Sequence, residues 1–288
     1  MKKEDKPMQN YTILYNPLSD NGHGAAHAKV LTEMLEGNDQ RFVDVTKNTD
    51  IKTIIDSLQE GDKLVISGGD GTLNRFLNDT DGLEIKNEVY FFSGGTGNDF
   101  LSSVGVEKGN LVPINRFFGK LPTVTVNGKD YKFINGVGYG IDGYCCEVGD
   151  ELREKSDKPI NYTSIAIKGL LFRFKPVNAT VTVDGRTERF RNVWLAPTMF
   201  GRFYGGGMIP TPDQNREDGT VSTMVYHNCG KLKALMVFPN IFKGEHVKEE
   251  KLVKIFKGHS VKVEFDRPTA LQIDGETVKN VTSYSVNI

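Results

Sequence analysis

The chain has 288 residues, of which 36 are Lys or Arg and 37 are Asp or Glu, so its formal net charge is −1 at pH 7. This length suits about two domains, and the balanced charge argues against binding to nucleic acid by bulk attraction. The 3 cysteines have no metal-ligand spacing. The charged N-terminus and the absence of any apolar run of about 18 residues predict neither a signal peptide nor a membrane-spanning helix. We therefore expect a cytoplasmic protein that is at most peripheral to a membrane.

Strands and helices alternate along roughly the first hundred residues. The predicted strands are 11–15, 41–46, 63–67 and 89–93. The predicted helices are 25–35, a segment from Asn48 or Thr49 to Leu58, a segment from Thr72 onward, and a short segment after 94–99. This alternation predicts a mostly parallel sheet with ligand-binding loops at the carboxyl ends of its strands.

Residues 63–77 combine a buried strand, a glycine-rich loop and a helix, with Gly68, Gly69 and Gly71 around Asp70. Glycine allows positive φ and leaves no Cβ in the way, so backbone N–H groups at the helix start can approach a phosphate. A cation between Asp70 and that phosphate would remove their repulsion. The spacing fits neither a Walker A loop nor a dinucleotide fingerprint. The segment predicts a nucleotide phosphate site with Mg²⁺, and the alternative is a tight turn that merely needs glycine.

A second strand–glycine–helix junction, at 94–99, strengthens the phosphate interpretation. If the two strands are neighbours, Asp70 and Asp99 lie near one polyphosphate at the starts of two helices. Thr72 and Thr96 offer hydroxyl groups to the same region, although capping of the helices would also explain them.

The pattern changes to antiparallel β structure after Pro122. Asn127-Gly128 and Asp184-Gly185 predict hairpin turns, and helical stretches are predicted near 144–152, 161–174 and 232–242. The predicted fold is α/β plus β. It has a disordered extension (1–9), a nucleotide-binding three-layer α/β domain with a mostly parallel sheet (10–121), and a predominantly antiparallel β-sandwich domain (122–288). The last segment is expected to return to the cleft between the domains.

Three polar or glycine-rich segments of the β half have two interpretations each. Residues 135–142 on their own favour close backbone approach over ligand contact. The turn at 215–220 favours a solvated turn, although Asp218 and backbone carbonyls could hold a cation. Asp274-Gly275 predicts a hairpin, and Glu276 after it could act as a general base if the fold returns it to the nucleotide loops. Asp184-Gly185 is an internal control for that turn.

Residues 161–174 predict a helix with one apolar side beside three cations. The apolar residues are Ile167, Leu170, Leu171 and Phe174, and the cations are Lys168, Arg173 and Lys175. Such a helix could rest on a lipid surface. An ordinary core-facing helix is the favoured interpretation.

The motifs, taken in order, resemble the diacylglycerol kinase catalytic domain family, and most closely its small bacterial lipid kinases. NAD kinases and phosphofructokinases are similar only in the Gly-Gly-Asp-Gly element. The resemblance covers nearly the whole chain. It rests on 68–74, 95–100, 135–138, 218–219 and 274–276.

The resemblance implies an ATP-dependent kinase that phosphorylates a lipid hydroxyl at a membrane surface, with diacylglycerol giving phosphatidic acid as the first candidate. Glu276 would accept the proton, Asp70 would serve the Mg²⁺-nucleotide, and a second Mg²⁺ would lie in the β domain. The implied ATP-site residues are Asn16, Pro17, Thr46, Gly68, Gly69, Asp70, Gly71, Thr72, Leu73, Asn74, Thr96, Asn98 and Asp99. The implied ligands of the second Mg²⁺ are Asn215, Asp218 and Thr220.

Two other functions stay open from the residues alone. An NAD kinase-like enzyme would use a soluble substrate, and a non-catalytic nucleotide-binding module would transfer nothing. The presence of both Asp70 and Glu276 argues against the second of these. The acceptor lipid and the oligomeric state, a homodimer included, also stay open.

Overall fold

The structure is a computed structural model that describes residues 8–47, 50–94, 98–155 and 160–288. The chain divides into two compact units, Met1–Lys120 and Leu121–Ile288. We refer to them as the N-terminal unit and the C-terminal unit.

The N-terminal unit is an α/β unit with one mostly parallel sheet. Its strands are β1 (Asn10–Tyr15), β2 (Asp39–Asp44), β3 (Lys63–Ser67), β4 (Glu88–Phe92) and β5 (Val112–Pro113). Its helices are α1 (Ser19–Gly22), α2 (Gly24–Met34), α3 (Ile51–Ser57), α4 (Asp70–Asp79) and α5 (Asp99–Ser103). The described strands are ordered β2-β1-β3-β4-β5, and only β5 is antiparallel to its neighbour. The predicted alternation of strands and helices is confirmed.

The central strand and its helix form as their sequence predicts. Leu64, Val65 and Ile66 of β3 are fully buried, as expected of a central strand in a parallel sheet. On α4, Leu73, Phe76 and Leu77 are buried at helical spacing. Helix α4 begins at Asp70, two residues before the predicted start, because Gly69 takes the N-cap position with an extended backbone.

Helix α3 has a different cap from the two that the sequence suggested. Asp50 is its N-cap, and its carboxylate accepts hydrogen bonds from the backbone N–H groups of Lys52 and Thr53. The predicted caps, Asn48 and Thr49, lie outside the described residues.

The C-terminal unit is built on an antiparallel sheet. Its strands are β6 (Thr123–Val126), β7 (Lys129–Lys132), β8 (Gly136–Tyr139), β9 (Val177–Val183), β10 (Arg186–Val193), β11 (Thr198–Met199), β12 (Val221–Tyr226), β13 (Val253–Gly258), β14 (Ser260–Ile273) and β15 (Glu276–Asn287). The described strands follow the order β13-β12-β11-β8-β14-β15-β6-β7, with β9 joining β14 to β10. The predicted hairpins are confirmed, since β6 pairs with β7 and β9 pairs with β10.

In the described part of this unit, three α-helices accompany the sheet: α6 (Ile141–Arg153), α7 (Tyr162–Lys168) and α8 (Lys231–Val237). The predicted helical stretch over 161–174 is confirmed, but it has two parts, because α7 passes at Gly169 into a turn of π-helix, Gly169–Arg173. Glycine favours an end to the helix, and Pro176 disfavours helical backbone just before it. Similarly, α8 passes into a 3₁₀ helix, Phe238–Lys243, with a proline in its first turn.

Candidate functional site

The polar loops of the N-terminal unit lie at the carboxyl ends of its parallel strands. Asn16 follows β1, Thr46 follows β2, Gly68 follows β3 and Gly94 follows β4. Strands β3 and β4 are direct neighbours, and the N–H of Gly68 donates to the carbonyl of Phe92 at 3.1 Å. The described parts of the two predicted phosphate loops therefore lie side by side. Thr96, with its flanking glycines, lies outside the described residues.

Asp70 joins these two loops. One carboxylate oxygen accepts a hydrogen bond from the N–H of Asp99 at 2.8 Å, and the other accepts one from the N–H of Phe100 at 3.3 Å. Asp70 opens α4, and its side chain holds the first residues of α5, where Asn98 is the N-cap. The carboxylate thus has a structural task in addition to any metal contact. Carboxylate oxygens are the hard ligands that Mg²⁺ prefers, so Asp70 and Asp99 are residues of a suitable type to hold it.

Gly68, the first glycine of the first loop, is required by close approach and not by positive φ. None of Gly68, Gly69 and Gly71 has a positive φ, which corrects that part of the expectation. A Cβ on Gly68 would lie only 2.4 Å from the hydroxyl oxygen of Thr72. On the neighbouring loop, a Cβ on Gly94 would lie 2.3 Å from the Nδ1 atom of His27. A Cβ at Gly68 would therefore have to displace the Thr72 side chain, and a Cβ at Gly94 would have to displace the His27 ring.

The loop after β1 contacts the same region. The side-chain amide of Asn16 donates to the hydroxyl of Thr72 at 3.4 Å, and the backbone N–H of Asn16 donates to Ser67 at 3.1 Å. Pro17 comes next, before the short helix α1. Asn16 and Thr72, both predicted to line the ATP site, are therefore in contact.

Three other predicted residues of this site are held by their own neighbours. Thr46 donates its hydroxyl and its backbone N–H to Asp44, and these hydrogen bonds lower the pKa of Asp44. Leu73 is fully buried, so it packs α4 into the core of the unit. Asn74 is also buried, and its carbonyl accepts a hydrogen bond from the side-chain amide of Asn78.

In the C-terminal unit, Glu276 is the first residue of β15 and is exposed. It follows the turn Asp274-Gly275, whose φ values are 46° and 97°. The Asp274 carboxylate accepts hydrogen bonds from the backbone N–H groups of Ile134, Asn135 and Gly136 at 2.6 to 2.9 Å. Asp274 thereby ties the β14–β15 hairpin to the start of β8.

A buried polar cluster lies beside that hairpin, and the sequence did not single it out. Asp142, near the start of α6, is buried, and burial raises its pKa to about 6. Its carboxylate accepts hydrogen bonds from the hydroxyl of Tyr204 at 3.2 Å and from the side chain of Gln272. The only hint in the sequence was the density of glycines before Asp142. A Cβ on Gly138 would lie 1.7 Å from that carboxylate, which supports close approach as the role of this segment.

The predicted second metal site consists of groups that already have partners. The Asp218 carboxylate pairs with the Lys257 ammonium at 2.5 Å and accepts from the amide of Asn215 at 3.1 Å. The carbonyls of Asn215 and Thr220 accept hydrogen bonds from Gln214 Nε2 at 3.4 and 2.8 Å. As arranged, these residues do not fit a divalent ion, because it would have to displace an ammonium group and an amide.

The family comparisons agree with this architecture. Residues 10–121 match the family model of the diacylglycerol kinase catalytic domain. Residues 135–286 match the model of the YegS C-terminal NAD kinase beta sandwich-like domain. The chain belongs to the diacylglycerol kinase catalytic domain family. The predicted fold class and the predicted family are therefore confirmed, and the chain is a kinase of a family that uses ATP.

Curated members of the diacylglycerol kinase family cover most of the chain. It is 28% identical over 251 residues to a diacylglycerol kinase of Mycobacterium tuberculosis, covering 82% of the chain and 79% of the relative. It is 24% identical over 280 residues to a diacylglycerol kinase of Bacillus subtilis, covering 93% and 90%. A crystal structure described as a diacylglycerol kinase from Bacillus anthracis is similar in fold, with a TM-score of 0.63, 20% identity, and 98% and 95% of the two chains covered.

Within the described ranges, no helix combines the length and the apolar character needed to cross a bilayer.

Proposed function

We propose that the chain is an ATP-dependent lipid kinase that transfers the γ-phosphate of ATP to the hydroxyl of diacylglycerol, giving phosphatidic acid, or to a related lipid alcohol. The observation that carries the proposal is the pair of hydrogen bonds that the Asp70 carboxylate accepts from the backbone N–H groups of Asp99 and Phe100 at the start of α5. It holds two glycine loops together at neighbouring strand ends, where the N-terminus of α4 favours an anion. The family membership of the chain supplies the reaction class.

The N-terminal unit would bind and orient ATP. We propose that Asn16, Pro17, Thr46, Thr96 and Asn98 line the nucleotide site with 68–74. Asp70 and Asp99 would hold Mg²⁺, which when bound offsets the negative charge of the phosphates. Backbone N–H groups of the first loop would hold the oxygens of the transferring phosphoryl group.

Glu276 would act as the general base. A lipid hydroxyl is a poor nucleophile at neutral pH, and a positioned base typically contributes about 10²–10⁴-fold. In the proposed step the lipid oxygen forms a bond to the γ-phosphorus, its proton passes to the Glu276 carboxylate, and ADP leaves. The exposure of Glu276 supports the assignment, because an acceptor can reach its carboxylate. The return of this segment to the nucleotide stays a prediction.

We also propose that the protein contacts the membrane peripherally, through the outer side of α7, the following π-turn and α8. Their inner sides share one core that includes Leu170, Phe174 and Ala234. This places two residues of the predicted lipid-facing stripe in the core instead. On the outer side, Phe172 and Leu232 are 75% and 74% exposed.

The two elements of this outer side are joined, and the side is rich in cations. The Lys231 ammonium donates to the carbonyl of Leu171 at 2.9 Å, which joins the start of α8 to the π-turn. Exposed apolar residues bordered by cations favour an anionic lipid surface. The exposed apolar residues are Ile167, Phe172, Leu232 and Met236, and the exposed cations are Lys168, Arg173, Lys175 and Lys231.

A phosphoryl-transfer assay tests the reaction. Radiolabelled ATP is incubated with a panel of purified lipids and, separately, with NAD. We expect label in the product of a lipid alcohol, with diacylglycerol giving labelled phosphatidic acid. Label only in NADP would favour the NAD kinase-like function, and no label in any acceptor would favour a non-catalytic module.

Sedimentation with anionic vesicles tests the membrane contact. Phe172→Ser and Arg173→Glu should each reduce the bound fraction, whereas Ile255→Ser, at an exposed apolar position of β13, should not. Equal binding of all these folded variants would contradict the assignment of this surface.

A further inference from the structure

One helix, α6, is linked by hydrogen bonds to the residues on both sides of Glu276, through Gln272 on one side and directly on the other. On one side, the N–H of Gly275 donates to Gln272 Oε1 at 2.7 Å. Gln272 is only 4% exposed, and its side chain is hydrogen bonded to Asp142, in the first turn of α6. The residue before Glu276 is thus connected to α6 through a buried glutamine.

On the other side, the hydroxyl of Thr277 donates to the carboxylate of Asp150 at 2.6 Å. Asp142 and Asp150 are about two turns apart on α6, so they lie on one face of that helix. Cys146 lies between them. Burial, and then the charges of Asp142, Asp150 and Glu276, raise the pKa of the Cys146 thiol to about 12. Because Thr277 is hydrogen bonded to Asp150, the residue next to Glu276 contacts this face of α6.

The contact between Asp142 and Gln272 depends on the glycine next to it. A Cβ on Gly138 would lie 1.7 Å from Asp142 Oδ2 and 2.5 Å from Gln272 Nε2, so only glycine leaves room for this pair. A buried carboxylate costs free energy unless it is hydrogen bonded, so Asp142 needs the bonds from Gln272 and Tyr204. Core packing alone would be served better by apolar side chains.

The Asp184-Gly185 hairpin shows that a turn of this kind forms without such support. Its first strand carries Thr182 at the position equivalent to Gln272. The hydroxyl of Thr182 bonds across the hairpin to that of Thr187 at 2.9 Å. The buried path from the turn to a helix is therefore a feature of the Glu276 hairpin and not of Asp-Gly turns.

We propose that Gln272 and Thr277 are positioning residues for Glu276, and that α6, through Asp142 and Asp150, is the element that fixes them. This inference rests on the proposed function, in which Glu276 is the general base. Holding the peptide before Glu276 and the side chain after it fixes where the carboxylate leaves the backbone. Displacement of a reacting group by about 1 Å can cost on the order of a hundredfold in rate.

The test combines Gln272→Met, which keeps the length of the side chain and removes its amide, with Thr277→Val, which keeps the shape and removes the hydroxyl. Each should lower kcat about 10- to 100-fold and leave the KM for ATP unchanged. Thr187→Val, in the control hairpin, should leave both constants unchanged. Thr277→Ser, which retains the hydroxyl, should restore most of the activity.

Double variants separate positioning from a general loss of structure. If Gln272 acts through Glu276, Gln272→Met should lower kcat no further when Glu276→Gln is already present. Multiplied losses in the double variant, or wild-type kcat in folded Gln272→Met and Thr277→Val, would overturn the proposal while leaving the kinase activity in place.

Amide hydrogen exchange gives a readout that does not need activity. Gln272→Met should make the Gly275 N–H exchange at least about 10-fold faster, because it loses its acceptor. Unchanged exchange would overturn the proposal even if the wild-type protein phosphorylates no lipid. Failure of the wild-type protein to phosphorylate any lipid would by itself refute the proposed function.

Discussion

Two hairpins of the C-terminal unit have the same turn sequence and nearly the same turn geometry. Asp184 and Asp274 have φ values of 47° and 46°, and each is followed by glycine. Each carboxylate accepts backbone N–H groups from the start of a neighbouring strand. The motif aspartate is therefore a structural element in both hairpins. What differs is the next residue, Arg186 in one hairpin and Glu276 in the other.

The comparison of the two hairpins predicts that catalysis depends on Glu276 and does not depend on Arg186. Glu276→Gln keeps the size of the side chain and cannot accept a proton, so kcat should fall about 10²–10⁴-fold with an unchanged ATP Kd. Arg186→Gln, the matched change in the other hairpin, should alter neither. Turnover kinetics and ATP binding of both variants decide the matter: an active Glu276→Gln enzyme would refute the general-base assignment.

A second pair of aspartates, both at helix starts, extends the comparison to the N-terminal unit. Asp70→Asn should lower kcat on the order of a hundredfold, because it removes charge needed for metal and phosphate. Asp50→Asn, which changes the cap of α3, should leave kcat unchanged and cost only some stability. Kinetics and melting of both proteins distinguish the roles. Near-wild-type turnover in folded Asp70→Asn would remove this residue from the mechanism.

The buried Asp142 of α6, which is hydrogen bonded to Gln272 of the Glu276 hairpin, should make the stability of the protein depend on pH. Burial raises its pKa to about 6, whereas an unfolded aspartate titrates near 3.9. Between those values the folded state binds more protons, so this group should lower the free energy of unfolding as pH rises from about 4 to about 6. Asp142→Asn should remove that contribution. Denaturant unfolding at pH 4 and pH 7 measures it, and identical pH dependence in both proteins would contradict the prediction.

The hairpin aspartates themselves should differ in their effect on stability. Asp274 is partly buried and accepts from three backbone N–H groups, so Asp274→Ala should cost about 1–3 kcal/mol. Asp184 is exposed, and water can replace its contacts, so Asp184→Ala should cost less. Equal losses on denaturant unfolding would show that the number of N–H partners does not decide the cost.

Local patterns in the sequence predicted the elements, and contacts between distant residues lay beyond them. The apolar run of β3, the glycines after it and both Asp-Gly turns are short-range signals, and the structure contains all of these elements. Asp274 instead binds residues about 140 positions earlier in the chain. Gln272 looked like an ordinary strand residue because its partner, Asp142, is reached only after folding. The π-turn after α7 was missed because Leu170 and Phe174 also fit helical spacing.

The smallest predicted effect concerns the turn around Asp218, where a metal ion and a lysine are rival partners. The Lys257–Asp218 pair is about two-fifths exposed, so it should contribute less than about 1 kcal/mol. If Lys257 takes the place of a cation, wild-type melting should be the same with Mg²⁺ and with EDTA. Lys257→Met would then free the carboxylate and create a Mg²⁺ response of up to a few degrees, because an ion that binds only the folded state stabilises it. Lys254 lies on the same strand as Lys257 and forms a similarly exposed pair with Glu188 of β10. Lys254→Met breaks that pair and should create no Mg²⁺ response. A wild-type protein that melts at lower temperature in EDTA would restore the predicted metal site of Asn215, Asp218 and Thr220, and would mean that Lys257 yields to the ion.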